Sequence, residues 1–214
     1  MKKKEFPKVT VILRGYDYDQ VNSVMEVLAD KGEHFAVEVT LNSPDVFETI
    51  ERVADQYGEA LFIGAGTVLD LEDAKKAIEA GAQFILSPIM LEKETLDYCK
   101  ERGIKTIPAG MTPTEVYQLF QNGADIVKLF PATSMELSHF KAMKGPLGEL
   151  PLMAVGGVNS HNTNDFLNGG ASYVGIASGI FNKEDILSKN KAALTKSLEA
   201  FEERVFHNRK VVSQ

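Results

Sequence analysis

The chain has 214 residues, 44% of them hydrophobic and 25% charged, with a formal net charge of −7. That is enough chain for one full hydrophobic core and too little for two ordinary domains. The acidic balance argues against a dedicated nucleic-acid binder, and the single cysteine, Cys99, excludes a disulfide framework.

The basic start "MKKKEFPKVTVILRG" leads into an apolar run of only "VTVIL", too short for the h-region of a secretory signal. No apolar stretch approaches the ~20 residues that span a bilayer. The expectation is a soluble cytoplasmic protein without a membrane partner.

From the first apolar run onward, short β-rich segments alternate with helical ones. "VTVILRG" (9–15) precedes "YDQVNSVMEVLADKG" (18–32), whose Val21, Val24, Met25 and Leu28 share one helical face. "FAVEVTL" (35–41) precedes "DVFETIERVADQYG" (45–58), which repeats the pattern with Val46, Phe47, Ile50 and Val53. "LFIGAG" (61–66) leads to "LEDAKKAIEAG" (71–81), opened by Asp70 as N-cap. "FILSP" (84–88) is followed by a helical stretch carrying Cys99, read as a packing residue. "KTIPAG" (105–110) leads to "PTEVYQLFQNG" (113–123), opened by Thr112. "IVKLFP" (126–131), "LMAVGG" (152–157) and "YVGIAS" (173–178) complete the β runs. Gly32, Gly58, Gly81, Gly103 and Gly123 each follow a helical pattern, as C-terminal caps do. The tail "KEDILSKNKAALTKSLEAFEERV" (183–205) reads as one long amphipathic helix.

Most of the β runs are continuously apolar, the mark of strands covered on both faces in a parallel sheet. Regular units without a central switch favour a closed (β/α)8 TIM barrel over an open doubly wound sheet. The chain 1–214 is then a single barrel domain with a C-terminal helix.

In such a barrel, chemistry sits where the strands end. Those positions are Arg14, Glu38, Thr67, Pro88, Pro108, Lys128 with Phe130, Gly156 with Gly157, and Ser178 with Gly179. Lys128 interrupts an apolar run, and strand alternation puts it on one face with Phe130. A desolvated lysine loses its proton easily and becomes a nucleophile; a buried lysine can also simply be held by a carboxylate. Glu38, in the apolar run of "FAVEVTL", is either that ion-pair partner or a general acid/base. Gly64 and Gly66 let a backbone pass close to a ligand or pack tightly, and Thr67 offers a hydroxyl. The glycine turns after the seventh and eighth runs can present N–H groups to a phosphate. Arg14 either lies on the surface or clamps a carboxylate or phosphate. His34, His139, His161 and His207 are scattered without metal-binding spacing, so no metal site is expected.

These residues stand in motifs similar to those of the class I 2-keto-3-deoxy-6-phosphogluconate and 4-hydroxy-2-oxoglutarate aldolases. The matching pieces are "ILRG", "VEVTLNSP", "IGAGTVL", "FILSP", "IPAG", "VKLFPA" and "VGGV", in order over nearly the whole chain. The resemblance implies a homotrimeric (β/α)8 barrel acting on a small keto-acid phosphate through a Schiff base, with no cofactor. It implies Lys128 as the Schiff-base lysine and Glu38 as the acid/base. Thr67, Pro88 and Phe130 would surround the pyruvyl moiety, and Gly156, Gly157 and Ser178 would hold the phosphate. The implied reaction is cleavage of 2-keto-3-deoxy-6-phosphogluconate to pyruvate and glyceraldehyde 3-phosphate, and of 4-hydroxy-2-oxoglutarate to pyruvate and glyoxylate.

One departure bears on the substrate. Where the phosphogluconate enzymes often carry an arginine after "T-L", this chain has Asn42, and Arg14 is the substitute clamp. "ILRG", "NSP" and "AVGGV" resemble the 2-keto-3-deoxy-6-phosphogalactonate branch, the alternative substrate. Val155 stands where a hydroxyl-bearing residue could read the sugar hydroxyls. Two other classes remain as expectations to test: a phosphate-binding isomerase or epimerase barrel, and a non-catalytic sugar-phosphate-binding barrel.

Overall fold

The alternation of apolar runs and amphipathic segments folds as the pattern requires. The computed structural model describes residues 5–207. Strands and helices follow as β1 (Val9–Leu13), α1 (Tyr18–Leu28), β2 (Phe35–Thr40), α2 (Val46–Tyr57), β3 (Phe62–Gly66), α3 (Leu71–Glu79), β4 (Phe84–Leu86) and α4 (Lys93–Glu101). The second half continues with β5 (Lys105–Ile107), α5 (Pro113–Gln121), β6 (Val127–Leu129), α6 (Ser138–Leu147), β7 (Leu152–Val155), α7 (Thr163–Asn168), β8 (Tyr173–Ile176), α8 (Lys183–Leu187) and α9 (Lys191–Glu202). Asp70 caps α3 by accepting from the Asp73 amide, and Thr112 with Glu115 forms a reciprocal capping box on α5.

All pairings between strands are parallel, in the order β5-β4-β3-β2-β1-β8-β7-β6. The two ends of this sheet meet through the backbone of Lys128. Its N–H donates to the Pro108 carbonyl at 2.8 Å, and its own carbonyl accepts from Gly110 at 3.0 Å. The barrel is thereby closed, and its closure fixes the lysine's backbone.

Every predicted β run contains a strand, but the strands stop short of several runs' ends. Arg14, Pro88, Pro108, Phe130, Gly156, Gly157 and Ser178 lie just beyond the last paired residue, in the loops of one rim. The predicted single C-terminal helix is corrected: it breaks between α8 and α9 at Lys189, whose φ is +53°. Asn190 then starts α9 afresh by accepting from the Ala193 amide, and a π-helical turn, Glu203–His207, follows. Of the predicted glycine caps, Gly81, Gly103 and Gly123 take the left-handed conformation, whereas Gly58 stays right-handed. Among the described residues no helix is long and apolar enough to cross a membrane.

Two apolar clusters result. The larger fills the space between strands and helices, with Val11, Val37, Ile63, Ile85 and Val127 facing outward onto residues such as Met25, Ile50 and Leu119. The smaller fills the barrel interior: Ile12, Ala36, Phe84, Leu86, Ile107, Ile126, Met153 and Val155, with Phe6 beneath. Cys99 belongs to the outer cluster, and burial pushes its thiol up to about 11, the behaviour of an inert packing residue.

Tilted strands step along the barrel axis by about one residue per strand, so residues from alternate strands lie level. Following the register around the barrel places Glu38, Leu86, Lys128 and Gly175 in one layer. Thr10, Gly64, Ile107 and Met153 form the layer beneath, and Ala36, Phe84, Ile126 and Tyr173 the next. Phe6 plugs the lower mouth, its ring centroid 5.1 Å from Phe84, 5.5 Å from Phe62 and 5.8 Å from Tyr173.

Candidate active site

Lys128 and Glu38 share an interior layer on strands on opposite sides of the barrel. Both are buried, at 5% and 2% exposure. No ion pair joins them among the described residues, and Glu38 Oε2 has no hydrogen-bond partner. The simple salt bridge is therefore not what this layer holds. Each group feels the other's charge, but burial dominates both. Desolvation pushes the Glu38 carboxyl up, opposed by the Lys128 and Arg14 charges. Desolvation, helped by Arg14, pushes the Lys128 ammonium down, opposed by Glu38. Both shifts favour the neutral forms, an amine and a carboxylic acid, which nucleophilic attack and proton donation need.

The glycines of "IGAG" have separate tasks. A Cβ at Gly64 would lie 2.5 Å from the Phe84 ring, and one at Gly66 would lie 1.4 Å from Glu38 Oε1. Gly66 thus makes the space that the Glu38 carboxylate occupies, and Gly64 seats the core ring. These spaces are filled by the chain itself, where sequence reading allowed for a ligand.

The other predicted residues follow the strands on the same rim. Phe130 is 40% exposed, and its ring centroid stands 5.2 Å from Lys128 Nζ. Thr67 follows β3 with φ +61°, a left-handed conformation that a β-branched residue adopts only under strain. Its neighbour Val68 is tied to the Leu86 carbonyl at 3.1 Å. Pro88 follows β4, where the Ser87 hydroxyl accepts from the Ile89 amide. Arg14 is exposed at the end of β1, and its charge reaches both Glu38 and Lys128. Its loop is tied to the next by the Gly15 amide, which donates to Ser43 Oγ at 2.8 Å. Asn42 is exposed in that second loop, and Val155 is buried facing inward on β7.

At the top of β7, Gly156 and Gly157 have φ of +95° and +77°. The Gly157 carbonyl accepts from the side chains of Asn159 and Asn162, at 3.3 and 3.0 Å. A Cβ at Gly157 would lie 2.4 Å from Thr133. Among the described residues the amides of Gly156, Gly157, Ser178 and Gly179 donate to no protein acceptor. With the exposed Ser178 hydroxyl they leave a set of donors on adjacent loops.

Sequence reasoning missed Thr10. It is fully buried on β1 in the layer beneath Glu38, and its hydroxyl has no hydrogen-bond partner among the described residues. A threonine alternating with valines in "VTVIL" looks like ordinary strand material, so only the register exposes it.

Comparison with known proteins now bears on this geometry. The family model described as KDPG and KHG aldolase matches residues 2–197. The chain belongs to that family. It is 29% identical over 195 residues to the 2-dehydro-3-deoxy-6-phosphogalactonate aldolase of Escherichia coli K12, covering 91% of this chain and 94% of the relative. It superposes on the native KDPGal structure with a TM-score of 0.82 and 28% identity, over 96% of this chain and 99% of that one. A KDPG aldolase from Legionella pneumophila, solved with pyruvate captured as a covalent carbinolamine, aligns with a TM-score of 0.82 and 26% identity. That alignment covers 92% of this chain and 94% of that one. The chain is thus an aldolase, a carbon–carbon lyase of the (β/α)8 fold.

Proposed function

We propose that this aldolase works through a Schiff base on Lys128 and cleaves a 2-keto-3-deoxy-6-phospho sugar acid. The observation that carries the reading is the buried Lys128, in no ion pair among the described residues, in one layer with Glu38. The neutral amine attacks the substrate's C2 ketone. Glu38 gives a proton to the carbinolamine oxygen, water leaves, and an iminium forms. Glu38, now a carboxylate, takes the C4 hydroxyl proton, directly or through water. The C3–C4 bond breaks, its electron pair flows into the iminium, and an aldehyde departs, leaving an enamine. Protonation at C3 and hydrolysis release pyruvate and restore the amine.

Phe130 covers the lysine, and Thr67 and Pro88 close around the pyruvyl end. Arg14 clamps the carboxylate in place of an arginine at Asn42, and the donors of Gly156, Gly157 and Ser178 hold the phosphate. Asn42 and "ILRG" favour the galactonate epimer, as does the similarity to a phosphogalactonate aldolase. The gluconate epimer is the second reading, favoured by the family's own description and by the Legionella relative. 4-Hydroxy-2-oxoglutarate, lacking the phosphate, is the slower substrate. A homotrimer has a surface to use: Leu69, Ile89 and Met111 are exposed apolar side chains on consecutive loops after β3, β4 and β5.

The test is borohydride reduction in the presence of pyruvate, with mass mapping of the adduct. An adduct on Lys128 supports the mechanism. No adduct on any lysine would sink the Schiff-base mechanism. Cleavage rates on the two C4 epimers then decide the substrate.

A further inference from the structure

One hydrogen bond at the rim joins two loops that lie beyond the strand pairing. The register of β1 with β2 ends at Leu13 opposite Val39, so Arg14 and Gly15 lie past it. Gly15 has φ +75°, and a Cβ built there would meet nothing within 4 Å, so packing does not hold it. A glycine so placed leaves the peptide before it free to rotate. Its amide donates instead to Ser43 Oγ at 2.8 Å. That N–H belongs to the planar peptide joining Arg14 to Gly15, so the bond fixes the plane that follows Arg14.

The serine itself is braced. Its amide donates to the Thr40 carbonyl at 3.0 Å, and the Leu41 amide donates to the Gly66 carbonyl at 2.8 Å. Pro44 follows and restricts the Ser43 backbone. Ser43 Oγ also lies 3.3 Å from the hydroxyl of Thr40, which is fully buried. Either hydroxyl can donate in that pair, and Ser43 keeps a lone pair for Gly15 in both cases. Thr40 and Glu38 share one face of β2 by strand alternation. The contacts thus run unbroken from the strand that carries Glu38 to the loop that carries Arg14.

We propose that Ser43 is a positioning residue for Arg14, its hydroxyl holding the Arg14–Gly15 peptide so that the guanidinium faces the substrate's carboxylate. The inference rests on the reading of Arg14 as the carboxylate clamp and says what aims it. Arg14 is exposed, and its charge reaches both Glu38 and Lys128. A long exposed side chain loses rotamer freedom when it grips a ligand, and a fixed backbone beneath it lowers that cost. Removing the Ser43 hydroxyl keeps the arginine but frees its base. The carboxylate is then held more weakly in ground and transition states alike, so KM rises while kcat holds.

The experiment compares steady-state cleavage by wild type, Ser43→Ala, Ser43→Thr, Arg14→Ala and the double variant Ser43→Ala with Arg14→Ala. The substrates are 2-keto-3-deoxy-6-phosphogalactonate and 2-keto-3-deoxy-6-phosphogluconate. Ser43→Ala should raise KM by about 3–10-fold, the worth of one hydrogen bond, with kcat within about twofold. Ser43→Thr keeps the hydroxyl and should restore the wild-type KM. In the Arg14→Ala background Ser43→Ala should add no further rise, because its effect passes through the arginine. Hydrogen exchange at the Gly15 amide, read by NMR without substrate, should be faster in Ser43→Ala than in wild type. An unchanged KM or an unchanged Gly15 exchange rate in Ser43→Ala overturns the inference. So does a full Ser43→Ala effect in the absence of Arg14, or a threonine variant that behaves like the alanine one. Arg14→Ala with a wild-type KM is a separate failure: it sinks the clamp itself, and the inference falls with it.

Discussion

The lower and upper halves of this barrel treat polar groups in opposite ways. Below, polar side chains where the strands begin are paired with one another. Thr106 and Asp125 exchange hydrogen bonds at 2.8–3.3 Å, and Lys105 lies 3.6 Å from the same carboxylate. The Gln83 side chain accepts from the Ile63 amide and donates to the Gly58 carbonyl, each at 3.0 Å. Four aromatic rings, Phe6, Phe62, Phe84 and Tyr173, then seal the lower mouth. Above, Lys128 and Glu38 are buried with no ion pair among the described residues, Thr67 is held at positive φ, and the amides of Gly156, Gly157 and Gly179 donate to no described protein acceptor. The lower half fixes the frame, and the upper half keeps its strain and unspent donors for a substrate.

Replacing Lys128 should break that contrast most severely. Lys128→Met should lower cleavage by at least about 10⁴-fold and abolish borohydride trapping. The same change removes an amine that burial disfavours, so the urea midpoint should hold or rise. A variant that keeps its activity, or traps pyruvate on another lysine, would move the catalytic centre elsewhere.

Two glycines of one strand, Gly64 and Gly66, sharpen the contrast further. Gly66→Ala pushes its methyl into the Glu38 carboxylate, the mobile end of a side chain, so the fold absorbs it and the acid/base is displaced. Activity should fall about 10²-fold, with thermal stability nearly unchanged. Gly64→Ala pushes into the Phe84 ring, which is packed on all sides, and should cost about 1–3 kcal/mol by denaturant titration while leaving pyruvate trapping intact. If the two variants exchange these effects, the division between frame and site is wrong.

Much of this was legible in the sequence. Continuous apolar runs gave the parallel strands, and the barrel rule then assembled Arg14, Glu38, Thr67, Pro88, Lys128 and Ser178 on one rim from six separate segments. What was not legible depends on register. Whether Glu38 and Lys128 are paired is decided by layers that no single segment encodes. Thr10 is invisible for the same reason, being one ordinary strand residue until the neighbouring strand is aligned beside it. The break in the C-terminal helix was hidden by its continuous amphipathic pattern, since "SKN" fits a helix until Lys189 turns left-handed.

Glu38 also leaves a signature in how stability changes with pH. Its folded-state proton affinity lies above the ordinary value of 4.5, so the folded protein binds the extra proton. The stabilisation this gives is full below 4.5 and is lost as pH rises through the folded midpoint. Glu38→Gln should remove that decline and be more stable than wild type at neutral pH, as read from urea midpoints across a pH series. Lys128 works in the opposite sense at the alkaline end. Its affinity lies below 10.5, so stability should rise with pH up to that value, and Lys128→Met should flatten the rise.

The smallest effect should come from Thr67. Its φ of +61° costs a β-branched residue about 1–3 kcal/mol, and glycine adopts that conformation freely. Glycine also loses about 0.5–1 kcal/mol through the greater freedom of its unfolded chain. Thr67→Gly should therefore leave the fold unchanged or stabilise it by up to about 2.5 kcal/mol, seen as a rise in Tm. The strain is worth keeping only if it aims the hydroxyl at the bound keto acid, so the same variant should show a KM for substrate raised by about tenfold. A stabilised variant with unchanged KM would mean that the strain belongs to the turn itself, and that the upper half is less devoted to substrate than its geometry implies.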